Sequence, residues 1–156
     1  MMPNPLIAVI DDDETLCSSL VDLLRSVGYL AQPFASAEMF LASHHLFNLD
    51  CIIADVRMPG TGGLDLLRRL RDQNITSPVI LVTALVDEQL DDDAIAAGAL
   101  FFLRKPFETD SLLDCVGWSV PPEISTRRQN VASALAKVHE PGAASEGYLI
   151  SSDIPF

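Results

Sequence analysis

Short apolar runs alternate with longer stretches of helical period along most of this chain. Leu6–Ile10 is an unbroken apolar run. After Asp11-Asp12-Asp13-Glu14 the apolar residues change phase. Leu16, Leu20, Leu23, Leu24 and Val27 fall at i, i+4, i+7, i+8 and i+11, one face of a helix that stops at Gly28. Residues 29–34 read as a second strand, with Pro33 placing it at a sheet edge. Ser36 caps a short helix through Leu41, and residues 51–54 form a third strand bounded by Asp50 and Asp55. A third helix over about residues 63–71 is expected to bury Leu64, Leu67 and Leu70 and to turn Arg68, Arg69 and Arg71 to water. Residues 79–82, apolar on both faces, read as a central strand. A fourth helix comes next over residues 87–97, ended by Gly98, then a strand over 100–103 and a helix over 109–118. Pro121-Pro122 ends the pattern. Five such βα units predict an α/β fold around a parallel sheet.

The strand ends carry the candidate chemistry. In open α/β sheets, ligands bind at the carboxyl ends of the strands. Here those ends present Asp11 and Asp12, then Asp55 ahead of Val56-Arg57-Met58-Pro59-Gly60, then Thr83, then Lys105 before Pro106-Phe107. Three carboxylates brought close repel one another unless a cation joins them. Oxygen-only hard ligands, with no His or Cys, suit Mg²⁺, which keeps several waters and bridges to phosphoryl oxygens. A hydroxyl at Thr83 and an ammonium at Lys105 add the positioning and charge neutralisation that phosphoryl transfer requires. Asp13 and Glu14 are explained by capping of the first helix. Asp91-Asp92-Asp93, consecutive on a helix, point in different directions and read as a solvated face.

Composition narrows the function further. The chain has 156 residues and a net charge of −12. Residues 1–120 hold 18 acids and 7 bases, a net of −11. So acidic a folded part argues against direct nucleic-acid contact, which needs a basic stripe, and against an anionic membrane surface. Cys17, Cys51 and Cys115 are odd in number, far apart and set in apolar segments, so they read as buried hydrophobes. His44, His45 and His139 lack the partners of a metal site or a triad. With no basic leader and no apolar run of membrane-spanning length, a cytoplasmic location is expected.

The order Val9-Ile10-Asp11-Asp12-Asp13-Glu14, Asp55-Val56-Arg57-Met58-Pro59-Gly60, Val82-Thr83-Ala84 and Lys105-Pro106-Phe107 resembles the receiver domain of two-component response regulators. The resemblance covers about residues 5–118, with wording similar to FixJ-type receivers. It implies a flavodoxin-like, CheY-like doubly wound (βα)5 fold with strand order 2-1-3-4-5. It further implies that Asp55 accepts a phosphoryl group from a sensor histidine kinase or a phosphotransfer protein. Asp12 would bind Mg²⁺ directly and Asp11 mainly through water, with Asp55 and the backbone carbonyl of Arg57 completing the protein ligands; Mn²⁺ is an acceptable substitute. Thr83 and Lys105 would hold the new phosphoryl group, and the Lys105-Pro106 peptide would be cis. Phe102 matches the switch aromatic that rotates inward when Thr83 moves, remodelling the face of helix four, strand five and helix five for a downstream partner or a phosphorylation-dependent homodimer. Arg57 and Leu85 sit at positions that tune phosphoryl lifetime. Leu85 offers no polar group to orient an attacking water, so slow self-dephosphorylation is expected, and a half-life of seconds would contradict it.

Residues 1–120 thus form one receiver unit, and residues 121–156 match nothing in that pattern. Residues 125–139 are helix-compatible through Val131, Leu135 and Val138, and Gly142, Gly147 and Pro155 interrupt the remaining residues. The expected tail is a short docking or dimerising helix with a loose end and no output domain. That favours a stand-alone receiver, an interaction switch and not an enzyme in its own right. A receiver cut from a FixJ-type transcription regulator is one alternative. A second arises because Asp11-Asp12-Asp13-Glu14-Thr15 also fits the Asp-x-Asp-x-Thr pattern of haloacid-dehalogenase-type phosphatases, with Asp11 as nucleophile and Asp13 as general acid.

Overall fold

The computed structural model describes residues 4–44, 48–84 and 87–120, together with the backbone of residues 148–150. Five strands, β1 (Leu6–Ile10), β2 (Leu30–Phe34), β3 (Cys51–Asp55), β4 (Val79–Thr83) and β5 (Phe101–Arg104), alternate with five helices. These are α1 (Glu14–Ser26), α2 (Ala37–Leu41), α3 (Gly63–Asp72), α4 (Glu88–Ala96) and α5 (Thr109–Ser119). A three-residue strand, β6 (Tyr148–Ile150), comes last. The sheet runs β2-β1-β3-β4-β5-β6, so the parallel strands take the expected 2-1-3-4-5 order. β6 adds to β5 antiparallel, with Phe101 opposite Ile150 and Leu103 opposite Tyr148. Within the expected loose end, residues 148–150 form this sixth strand. The helix expected over 125–139 lies outside the described residues.

Alternation along the strands sends neighbours into two cores, one on each face of the sheet. Ile7, Val9, Ile53, Ile80, Val82, Phe101 and Leu103 pack with Leu20 and Leu24 of α1 and Leu112 and Val116 of α5. Ala8, Ile10, Ile52, Ala54, Leu81 and Phe102 pack with Phe40 of α2, Leu66, Leu67 and Leu70 of α3, and Ala94 of α4. Full burial of each such leucine contributes roughly 1.5–3 kcal/mol. All three cysteines are buried and free. Trp118, buried near the end of α5, belongs to the α1–α5 core.

Local signals set the boundaries. Asp13 accepts from the Leu16 N–H at 3.1 Å and Ser36 from Met39 at 3.1 Å, each capping a helix. Gly28 and Gly98, both at φ +99°, end α1 and α4 as expected. Pro33 lies on β2, which among the described residues pairs only with β1. Three expectations change. The buried face of α3 is Gly63, Leu66, Leu67 and Leu70, spaced i, i+3, i+4 and i+7, with Leu64 at its margin. Arg71 is half-buried, not turned wholly to water: Nη1 donates to the carbonyls of Ile75 (2.7 Å) and Ser77 (3.1 Å), and Nη2 to Gly98 (3.4 Å). Burial lowers the Arg71 pKa below the usual value. Asp91 is 8% exposed, where its triplet was expected to be a solvated face. One turn before Ala94, it is carried into the same packed face, where it pairs with Arg104 at the end of β5.

The start of α3 sets the packing beneath the site. A Cβ on Gly63 would lie 2.5 Å from the Asp55 carbonyl oxygen and 3.0 Å from Leu81 Cδ2, and one on Gly62 would lie 2.4 Å from the Val56 carbonyl oxygen. Only glycine lets the helix approach the end of β3 so closely. Gly63→Ala is therefore expected to destabilise the fold by roughly 1–3 kcal/mol in urea titration. An unchanged midpoint would mean that the helix start can shift freely.

Candidate functional site

The chain leaves β1 toward β2 and returns to β3 on the other side, so the connections diverge between β1 and β3 and leave a crevice at their carboxyl ends. Asp11 extends β1 by one residue, its N–H donating to the Phe34 carbonyl at 3.1 Å. Asp55 is the last residue of β3, in register with Val82 of β4, and Thr83 lies one position further. Lys105 comes directly after β5, its N–H donating to the Thr83 carbonyl at 2.7 Å, and the Lys105-Pro106 peptide is cis. Asp11 and Asp55 are 4% and 8% exposed and Thr83 is fully buried, while Asp12 is open to solvent.

Each Asp55 oxygen is already engaged. Oδ1 accepts the Arg57 N–H at 3.0 Å, and Oδ2 accepts Lys105 Nζ at 2.7 Å. The same ammonium reaches Asp11 Oδ2 at 3.3 Å, and Asp11 Oδ1 accepts the Asp13 N–H at 2.9 Å. Asp11, Asp12 and Asp55 each offer an oxygen, all within 4.8 Å of one another. Burial pushes the Asp11 carboxyl up, helped by the charge of Asp55 and opposed by the Asp13 N–H and Lys105. Burial alone would lower Lys105, but its hydrogen bond to Asp55 and the charges of Asp55 and Asp11 outweigh that and raise it. A lone ammonium thus spans two of three crowded carboxylates. The oxygen-only donor set, with Asp11 held in its charged form only at a cost, fits a hard divalent cation.

Two contacts around the site escaped the sequence reading. Glu38 of α2 accepts the Thr61 N–H at 3.1 and 3.3 Å, tying α2 to the loop after β3. Gly60, at φ +78°, lets that carboxylate approach: a Cβ there would lie 2.8 Å from Glu38 Oε1. The Asp91–Arg104 ion pair joins α4 to the residue beside Lys105. Burial pushes Asp91 up despite Arg104, and its Oδ1 has no partner among the described residues. The usable sequence signal was the helical spacing of Asp91 and Ala94. Of the remaining expected positions, Phe102 is 1% exposed, already inward among the side chains of α3 and α4. Arg57 is exposed, and Leu85 lies outside the described residues.

Residues 7–117 match the family described as the response regulator receiver domain. The chain belongs to that family. The receiver is 41% identical over 131 residues to the transcriptional regulatory protein FixJ of Bradyrhizobium diazoefficiens, covering 83% of this chain and 64% of that protein. It is 36% identical over 111 residues to the response regulator TodT of Pseudomonas putida, covering 71% and 49%. The chain therefore spans between about half and two thirds of the length of these relatives. Among solved structures, FixJ-N aligns with TM-score 0.68 at 32% identity, covering 76% of this chain and 94% of that one. The receiver domain of Francisella response regulator 1452 aligns with TM-score 0.70 at 30% identity, covering 74% and 96%. Family and relatives together decide against the phosphatase alternative, as does Asp13, which caps α1. Among the described residues no helix is long and apolar enough to cross a membrane.

The shifted groups give opposite signs. Asp11 holds its proton more tightly in the fold than in the unfolded chain, so its contribution is greatest below the usual 3.8 and is lost as pH rises through the raised value. Asp11→Asn should therefore raise the melting temperature of metal-free receiver at pH 7 and lose that advantage near pH 4; a lower melting temperature at pH 7 contradicts the burial penalty. Lys105 also titrates above its usual 10.5, so its stabilisation persists below that pH and is lost as pH rises through the raised value. Lys105→Met should cost on the order of 1–3 kcal/mol at pH 7, a buried-pair loss reduced by partial exposure. In denaturation series that cost should stay level up to pH 10 and shrink only above 10.5.

Proposed function

We propose that Asp55 is the phosphoacceptor of this receiver, taking a phosphoryl group from a phosphohistidine on a sensor histidine kinase or phosphotransfer protein. The observation that carries this reading is the Asp55 carboxylate at the mouth of the crevice, 2.7 Å from Lys105 Nζ and clustered with Asp11 and Asp12. An Asp55 oxygen forms the new O–P bond, the P–N bond breaks, and the imidazole leaves with the bonding pair. The product is an acyl phosphate. Lys105 passes from the Asp55 carboxylate to a phosphoryl oxygen, exchanging one ion pair for another with little movement of its strand. The Thr83 hydroxyl supplies a second hydrogen bond. The Arg57 N–H keeps the carboxyl group oriented throughout, since it acts on the backbone side of the residue.

Asp11, Asp12, Asp55 and the Arg57 carbonyl would hold Mg²⁺, or Mn²⁺ in its place. When bound, the cation neutralises the crowded carboxylates and the phosphoryl oxygens. Asp12, exposed, is the residue a hydrated ion meets first. The output of the switch is a changed surface of α4, β5 and α5 for a protein partner or a second copy.

Incubation with Mg²⁺ and acetyl phosphate, read by intact mass, should show one labile phosphoryl group on the wild type and none on Asp55→Asn. An adduct of equal yield on both overturns the assignment of Asp55. Thr83→Ala should retain phosphorylation and lose the conformational response. At a hundredfold excess over its dissociation constant, Mg²⁺ should stabilise the wild type by about 2.7 kcal/mol. Most of that should vanish in Asp12→Asn, and a melting curve indifferent to Mg²⁺ overturns the metal site.

A further inference from the structure

The two edges of the sheet are finished differently. At the β2 edge, the strand carries Pro33 and the exposed, polar Gln32, and a proline there withholds the N–H that a neighbouring chain needs. The opposite edge has no such device. Phe101, Phe102 and Leu103 of β5 are apolar, unbroken by proline or bulge, and carry no charge before Arg104. On one side β5 pairs with β4 from Phe101 opposite Ile80 to Arg104 opposite Thr83. Its outward N–H and C=O groups therefore form a flat, apolar strand edge, the kind that recruits another strand. In this structure it is covered by the chain itself. Tyr148, Leu149 and Ile150 lie antiparallel opposite Leu103, Phe102 and Phe101.

The sequence of the covering segment suits that place. Tyr148-Leu149-Ile150 is a run of strand-forming residues bracketed in sequence by Gly147 and by Ser151-Ser152, residue types that bound strands. A three-residue ladder is weak by itself. Tethering it in the same chain sets its effective concentration on the order of millimolar, so a segment of ~100 µM intrinsic affinity is about nine-tenths bound.

We propose that the outer edge of β5 is a strand-addition site for an extended apolar peptide, and that Tyr148–Ile150 of the same chain occupies it in cis, excluding other strands until displaced. The site lies between α4 and α5, two residues from Lys105, and its occupancy requires no phosphoryl transfer. Its success or failure is therefore independent of the role given to Asp55.

The test compares full-length wild type with Leu149→Pro, which removes an amide and disfavours pairing, and with Leu149→Asp, which keeps the amide but is a poor strand former. Far-UV circular dichroism and cooperative melting establish that each variant is folded. Hydrogen exchange over residues 99–104 should be at least tenfold faster in Leu149→Pro, and intermediate in Leu149→Asp. A fluorescein-labelled peptide of residues 145–153 should bind Leu149→Pro saturably and leave wild type unchanged. Equal exchange in all three proteins overturns the proposal, as does equal peptide binding to wild type and Leu149→Pro. Protection that fades when wild type is diluted also overturns it, because the occupant would then come from a second copy.

Discussion

Mutual repulsion of Asp11, Asp12 and Asp55, confined within 4.8 Å, is the constraint around which the carboxyl edge of the sheet is organised. At such separations each pair of charges costs several kcal/mol in a half-buried setting unless opposite charge intervenes. Among the described residues, one ammonium serves two of the three, and two backbone N–H groups, of Asp13 and Arg57, serve the other oxygens of Asp11 and Asp55. Among the described residues, three carboxylates face one ammonium, so in their charged forms the cluster keeps a net negative charge. A phosphoryl group placed there would add negative charge to a place already short of positive charge. That is why a divalent ion and Lys105 belong to one chemical account.

Holding such a site still falls to the backbone around it. α3 begins almost in contact with the end of β3, through Gly62 and Gly63, and so fixes the peptide that carries Asp55. The loop between them is held from the far side by Glu38. Arg71 fastens the other end of α3 to the segments entering β4 and β5. None of these groups meets the reacting atoms. They set the distances at which the acids and the lysine meet, and a loosened α3 would be felt first as a misplaced carboxylate.

Much of this was legible from residue order. The strands are short apolar runs that end in Asp, Asp, Thr and Lys, and their shortness, against the 3.6-residue period of the longer segments between them, separates strand from helix without knowledge of the partners. The family resemblance placed the site residues together because its motifs fall at those strand ends. The features that escaped depend on contacts between distant segments. The phase of α3 is set by a glycine pressed against a carbonyl, not by hydrophobicity alone, and so Leu66 displaced Leu64 from the buried face. Arg71 and Asp91 carry charge, and charge reads as surface until carbonyls or a guanidinium are found waiting for them. Glu38 was invisible for the converse reason: an exposed helical glutamate has no sequence signature of the loop it holds. Tyr148–Ile150 is three residues long, too short for periodicity to register, and becomes a strand only because β5 offers an edge.

Phe101 and Phe102 stand next to each other on β5 yet belong to opposite cores, Phe101 with α1 and α5, Phe102 with α3 and α4. Sliding this strand by one residue would send each ring to the opposite core, so its register is specified by packing on both faces of the sheet. The strand that leads into Lys105 therefore touches the helices on both faces of the sheet. β5 is thus a shared wall, the one strand in which adjacent phenylalanines serve the two cores in turn.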